Sequence, residues 1–414
     1  MRYVIAGAGA AGSACARALL DLARPDSGIL VLEAAADPPP SPALLPEFAA
    51  GAVAPDMLAF AQAWRRAGLM RSGPLAPRLV LRTGCRVRGV DPGRQVLRVS
   101  GGEEIGYDRL LLATGGGAGL PRWAIAAGLT GPGVLALSSW RQAGRLRRMV
   151  AGCPPGSTIA VIGAGPTGLR VAEALLCRGL RVVLSEALAY PLGMLGSEAA
   201  GAGAVVRRIA TEAGIRVLSG AAAARAERGP GGKLEGITHV AGGREETVRC
   251  DVAVLCTGSA PAVPRGLSAF SGGGSRPGSL CVDEGMRTSA PGVWAAGDIA
   301  LPGGWDRPPG LWHVASWQGR QAALTMSGRP PGPHPARVDL TVRFLGHLIR
   351  AWRPYADPAG PAGAAGPAGP AGPARPGGAG AGRAPWQVTV APAAVAAEPP
   401  RAAPLYSGVA SGAN

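Results

Sequence analysis

Tyr3-Val4-Ile5-Ala6-Gly7-Ala8-Gly9-Ala10-Ala11-Gly12 opens the chain with a short apolar strand running directly into a G-x-G-x-x-G spacing, and an Ala-rich helix is expected to continue from Ser13 to Leu22. A second apolar run, Gly28 to Leu32, ends in Glu33. Each glycine has its own steric duty. Gly7 allows the tight turn, Gly9 lets backbone approach a pyrophosphate, and Gly12 lets helix pack on strand. Ala10 and Ala11 fill the remaining positions, and the amino end of the helix that follows faces the anion. Glu33 then takes the ribose hydroxyls. With 66 Gly in the chain, a Gly-rich hexapeptide alone says little. The ordered strand, cradle, helix and terminal Glu make it a dinucleotide site. Met1 to Cys15 is therefore read as strand and cradle and not as a cleaved leader.

The same grammar recurs. A strand from Ser157 to Ile162 enters Gly163-Ala164-Gly165-Pro166-Thr167-Gly168, a helix runs through Cys177, and a strand from Arg181 to Ser185 closes on Glu186. A duplicated Rossmann unit suits a hydride passing between two dinucleotides, because each needs its own anion-binding helix end. The expected fold class is α/β, with two doubly wound Rossmann-type domains and an irregular, truncated C-terminal region.

On these two cradles and the motifs that follow, residues 1–335 resemble the FAD-dependent pyridine nucleotide-disulfide oxidoreductase superfamily. Tyr107 to Gly115 is similar to the strand and Ala113-Thr114-Gly115 turn that leads out of the first FAD segment. Asp251 to Gly258 repeats that turn with Thr257 and Gly258, and Thr288 to Ile299 is similar to the second FAD motif. The resemblance implies that Gly297 and Asp298 meet the ribityl chain and bring a helix amino end to the flavin. Trp312-His313-Val314-Ala315-Ser316-Trp317-Gln318-Gly319 resembles a segment of the ferredoxin reductase, nitrite reductase and apoptosis-inducing-factor branch. It implies a helix under the isoalloxazine. Trp312 is the candidate for a ring beside the flavin, a core Trp being the alternative. His313 is a candidate donor to flavin or acceptor, a structural His being the alternative.

The implied organisation is an FAD-binding domain from residues 1–125 and 263–335, with an NAD(P)-binding domain, 126–262, inserted between its halves. Glu235-Gly236-Ile237 and Val248-Arg249-Cys250 look like a small hairpin within the insert. Residues 336–357 read as the start of the family's interface domain. Residues 358–414, with glycines at 360, 363, 366, 369 and 372, read as a Pro/Gly/Ala-rich linker and a mobile tail. That shortened region argues against the family's usual homodimer.

The departures from the family set the chemistry. The branch that carries an electron-relay Cys places it ten residues after the ribose Glu; Ala43 stands there, and no Cys lies between 16 and 84. Disulfide reduction through an enzyme thiolate is not expected on that reading. Arg170 replaces a family Glu just after the second cradle, either as an inverted pair with Glu47 or as a solvated helix residue. The seven Cys, at 15, 85, 153, 177, 250, 256 and 281, have no zinc spacing, so no metal site is expected and reduced thiols in a cytoplasmic chain fit best. Cys250 and Cys256 are expected on one face of a single strand, about 20 Å apart.

Charge narrows the partners. A net charge of +16 comes from 41 Arg and the single Lys233, scattered and not striped, which argues against nucleic acid and leaves acidic electron-carrier proteins as candidates. No stretch reads as a transmembrane segment. Glu186 favours NADH over NADPH, because a carboxylate bonds the 2'-hydroxyl and repels a 2'-phosphate. The expected activity is hydride transfer from NADH to FAD, then electron delivery to a ferredoxin-like carrier, quinone or oxygen without a disulfide relay. The alternatives are a subunit oxidising a small amine or amino acid on FAD, and a redox-degenerate FAD- and NADH-binding interaction module.

Overall fold

The structure is a computed structural model in which residues 1–36, 45–49, 78–117, 120–137, 139–258, 260–270, 278–303, 305, 308, 310–355 and 385–393 are described. Ala43 and the Glu47 side chain lie outside that set, and so does the proposed pairing of Glu47 with Arg170.

The chain begins with β1 (Arg2–Ala6), α1 (Ala10–Leu22), β2 (Gly28–Leu32), the short α2 (Leu45–Ala49) and β3 (Leu79–Arg82). An antiparallel three-stranded sheet follows, β4 (Val87–Asp91), β5 (Val96–Val99) and β6 (Glu104–Gly106), and then β7 (Arg109–Leu112). Next come α3 (Arg122–Ala126), β8 (Val134–Ala136), α4 (Trp140–Ala151), β9 (Thr158–Ile162), α5 (Pro166–Leu176), β10 (Arg181–Glu186), α6 (Ala200–Glu212) and β11 (Arg216–Ser219). Three antiparallel strands, β12 (Ala222–Arg228), β13 (Leu234–Ala241) and β14 (Arg244–Arg249), precede β15 (Val252–Leu255). The remainder is β16 (Leu280–Val282), β17 (Val293–Ala295), β18 (Ala300–Pro302), α7 (Trp312–Met326), β19 (Arg337–Phe344), β20 (His347–Pro354) and β21 (Gln387–Pro392).

Two five-stranded parallel sheets organise these elements. One has the order β17-β7-β1-β2-β3 and the other β11-β10-β9-β15-β8. Both reverse direction of growth beside the strand that enters a cradle, the switch point where doubly wound sheets bind ligands. The central strands are apolar on both faces, as covered parallel strands must be: β1 is buried from Tyr3 to Ala6 and β15 throughout. The chain passes between the sheets twice, side by side. Gly117 N donates to Ala260 O at 2.6 Å, Ala262 N to Gly115 O at 2.9 Å, and the Thr114 hydroxyl to Ala262 O at 2.7 Å.

β18 follows Asp298, and α7 begins at Trp312, where the sequence expects a helix to open. Three sequence expectations change. Residues 387–392, expected in a mobile tail, form β21, because Val388 and Val390 pack into the second core while their backbone pairs with β20. Cys250 and Cys256 flank the four-residue β15 and point into different cores, since the strand is too short to hold both. Arg170 is half-buried and not a solvated helix residue, and burial lowers its pKa against the opposing charge of Glu173. The hairpin expected around residues 235–250 is present, with Ile237 opposite Val248.

Candidate functional site

The two cradles are built alike. Gly7 has φ +108° and Gly163 φ +102°, a left-handed region that glycine enters freely. A Cβ at Gly7 would collide with the Ala113 carbonyl, and one at Gly163 would come within 2.8 Å of the Cys256 carbonyl oxygen. The Ala113-Thr114-Gly115 and Cys256-Thr257-Gly258 turns thus press against the first glycine of their own cradle. A Cβ at Gly12 or Gly168 would collide with the carbonyl oxygen of Gly7 or Gly163, so each helix touches its strand backbone. Gly9 has open space where its Cβ would stand, and Gly165 has only Met194 Sδ, at 3.6 Å. These middle positions leave room for an anion at the amino ends of α1 and α5, where Ala10, Ala11, Pro166 and Thr167 begin the helical turns.

The terminal carboxylates match as well. Glu33 accepts from Ala8 N at 2.9 Å and Ala35 N at 2.8 Å. Glu186 accepts from Ala164 N at 2.8 Å and Leu188 N at 3.0 Å. Two backbone donors fix each group at the end of its strand, and each oxygen keeps a second lone pair for a ribose hydroxyl. Beside the second cradle lies a cavity of about 350 Å³, lined by Gly163, Glu186, Thr257 and the alanines of 221–223, with Trp123.

The C-terminal end of the first sheet is closed by α7. A Cβ at Gly319 would collide with the Ala11 carbonyl, so α7 crosses α1 at backbone contact. The fully buried Gln318 accepts from Gly297 N at 2.7 Å. Gly297, at φ +80°, is thereby held beside Ala11 at the start of α1. The Gln-Gly pair therefore has a physical reading: Gly319 admits the crossing, and Gln318 ties it to the Gly297 turn.

Trp312 stands at the start of α7, 40% exposed. His313 accepts from Asp339 N at a long 3.4 Å; its surface is exposed, yet surrounding protein lowers its pKa against the opposing charge of Asp339. Trp317 turns inward, donating to Pro333 O at 3.0 Å and meeting Tyr355 edge-on at 5.0 Å. Tyr355 also stacks on His334 at 5.2 Å, and burial pushes its phenol up to about 12. The sequence reading missed Trp123, Gln318 and Tyr355. Only Gln318 carried a signal, its place before Gly319 in the segment already singled out.

The described cysteines form no disulfide, and no described cluster of three or more His, Cys, Asp or Glu side chains suits a metal. Cys256, the one beside the second cradle, is buried and raised to about 12 by desolvation. A thiol held so high carries almost no thiolate at neutral pH.

The pyridine nucleotide-disulphide oxidoreductase family model matches residues 1–319. The chain belongs to this family. Within it, the chain is 31% identical over 253 residues to a protein named as a probable ferredoxin reductase, CtmF, of Castellaniella defragrans, covering 59% of this chain and 57% of that one. It is 29% identical over 220 residues to the rubredoxin-NAD(+) reductase of Pseudomonas putida, covering 52% of each. The chain thus spans about half the length of these family relatives. A crystal structure of a ferredoxin reductase from Rhodopseudomonas palustris shares the fold, with TM-score 0.72 and 23% identity over 86% of this chain and 83% of that one.

Proposed function

We propose that the chain is an FAD-dependent NADH oxidoreductase that hands electrons to an acceptor without a thiol relay. The observation that carries this reading is the matched pair of cradles, each with an open middle glycine and a carboxylate fixed by two backbone N–H groups. The donors fit the cofactors. Gly7, Gly9, Gly12 and Glu33, with Thr114, Gly115, Gly297 and Asp298, would hold FAD; Gly163, Gly165, Gly168, Glu186, Thr257 and Gly258 would hold the nicotinamide coenzyme. FAD supplies the means to accept a hydride and release electrons singly or in pairs. The protein's part is to bind and orient. Helix amino ends meet the pyrophosphates, Glu33 and Glu186 take ribose diols, and α7, locked on α1 through Gly319, fixes the surface on which the ring system rests.

The division follows from this. Residues 1–125 and 263–335 form the FAD-binding unit and 126–262 the coenzyme unit, each around one parallel sheet, with α3 at the boundary packing through Ala124 onto the coenzyme unit. NADH is favoured because the cavity beside Glu186 is lined by alanines and contains no basic side chain among its lining residues.

An acidic one-electron carrier is the preferred acceptor. A net charge of +16 steers such a partner, and relatives carry ferredoxin- and rubredoxin-reductase names. The test is NADH-driven reduction of ferricyanide and of an acidic ferredoxin by the purified flavoprotein, across a salt series. Ferredoxin reduction should fall steeply between 50 and 300 mM salt (about a two-fold change in Debye length) while ferricyanide reduction persists at every salt level. Salt-independent ferredoxin reduction would refute a steered protein partner, and no turnover with either acceptor would refute the oxidoreductase.

A further inference from the structure

Trp123 is a large aromatic with 43% of its surface exposed, on a helix of only five residues. The core does not require it there. The buried anchors of this segment are Ala124 and Leu129, which join the third hydrophobic cluster, while Trp123 faces the cavity of about 350 Å³ beside Glu186. The other wall of that cavity is as small as side chains allow. Ala221, Ala222 and Ala223 end at Cβ, and Ala221 N donates to Glu186 O at 2.9 Å, so the alanine wall is registered to the carboxylate.

An aromatic face, an alanine wall and a carboxylate at one end fit a purine nucleoside with a free ribose diol. The base gains apolar and stacking contact, and the diol gains the charged acceptor. We propose that Trp123 is the platform on which the adenine of the coenzyme stacks, and so a specificity-determining residue for the adenosine half. This deepens, and rests on, the reading of the second cradle as the coenzyme site. Trp123 lies outside every glycine motif, on the segment that leads from the Ala113-Thr114-Gly115 turn into the second sheet, so it arrives by tertiary folding alone.

The experiment is calorimetric titration of the FAD-loaded protein with ADP-ribose, which carries adenine, ribose and pyrophosphate but no nicotinamide. Stacking of one base on one ring corresponds to about a tenfold effect on affinity. Trp123→Ala should therefore weaken ADP-ribose about tenfold, and Trp123→Phe by about threefold or less, with the KM for NADH rising in the same order. Tryptophan fluorescence quenching on ADP-ribose binding should diminish in Trp123→Ala. Wild-type affinity in the alanine variant would overturn the proposal while leaving the coenzyme site standing. Failure of the wild-type protein to bind ADP-ribose would overturn both. If Trp123→Ala does not fold, Trp123→Leu, which keeps bulk without an aromatic face, decides the same question.

Discussion

Gly12 and Gly168 are closed to any side chain, because the carbonyl oxygen of Gly7 or Gly163 already occupies the place of a Cβ. Overpacking against backbone costs about 1–3 kcal/mol or more. Gly12→Ala should therefore emerge from purification with much less flavin than wild type, read from the ratio of visible to protein absorbance, and Gly168→Ala should keep flavin but bind NADH weakly. Equal flavin content in both variants would contradict the assignment of the two cradles. Glu186→Ala tests the coenzyme carboxylate. Losing charge-assisted bonds worth about 1.5–3 kcal/mol should raise the KM for NADH about 10- to 100-fold and narrow its preference over NADPH. Both cradles were legible in the sequence because their constraints are local: a glycine that must turn, a glycine that must touch, and a carboxylate at a strand end. Trp123 and Tyr355 were not legible. Their roles come from which distant segments fold beside them, and no spacing encodes that.

Among the elements, the crossing of α1 and α7 would couple flavin binding to the fold under the proposed function. Gly319 lets the helices meet at backbone distance, and Gln318 carries the contact on to Gly297. Gln318→Leu leaves the Gly297 N–H unmet in a buried place, at a cost of about 1–3 kcal/mol. Looser flavin, measured as faster release of FAD on dilution, is the expected result; unchanged release would show that the Gly297 turn is held by other means. The resemblance implied a helix opening at Trp312, and α7 begins there.

At the scale of the whole molecule, the three-stranded sheet of β19, β20 and β21 joins the two cores. Val338 and the adjoining Tyr355 belong to the first, while Val342, Phe344, Ile349 and Ala351 belong to the second. Leu345 N donates to Glu173 Oε1 at 3.0 Å, docking the β19–β20 turn on α5. Burial raises the Glu173 pKa above 4.5, more than the Leu345 bond and Arg170 lower it. A carboxyl raised in the folded state binds its proton more tightly there. Its contribution is fully present below pH 4.5 and is lost as pH rises through the raised value. Glu173→Gln keeps the acceptor and removes the buried charge, so its Tm at pH 7 should equal or exceed wild type, with that gain vanishing below pH 4.5. A lower Tm at pH 7 would show that the carboxylate stabilises this docking as an ion-pair partner. Ending the chain after Tyr355 removes β21 with Val388 and Val390, half-buried against the second core, and should lower the Tm. The composition of the tail concealed β21, because six strand residues after a long Pro/Gly/Ala stretch give too short a pattern to register. Sheet and core make it a strand.

The central claim is that one chain holds a flavin and a nicotinamide coenzyme in position for hydride transfer. Anaerobic stopped-flow mixing of the FAD-loaded protein with NADH and, separately, with NADPH tests it most directly. The account predicts rapid loss of the flavin absorbance band with NADH and slower loss with NADPH. A yellow protein whose band is unmoved by either nucleotide would contradict it.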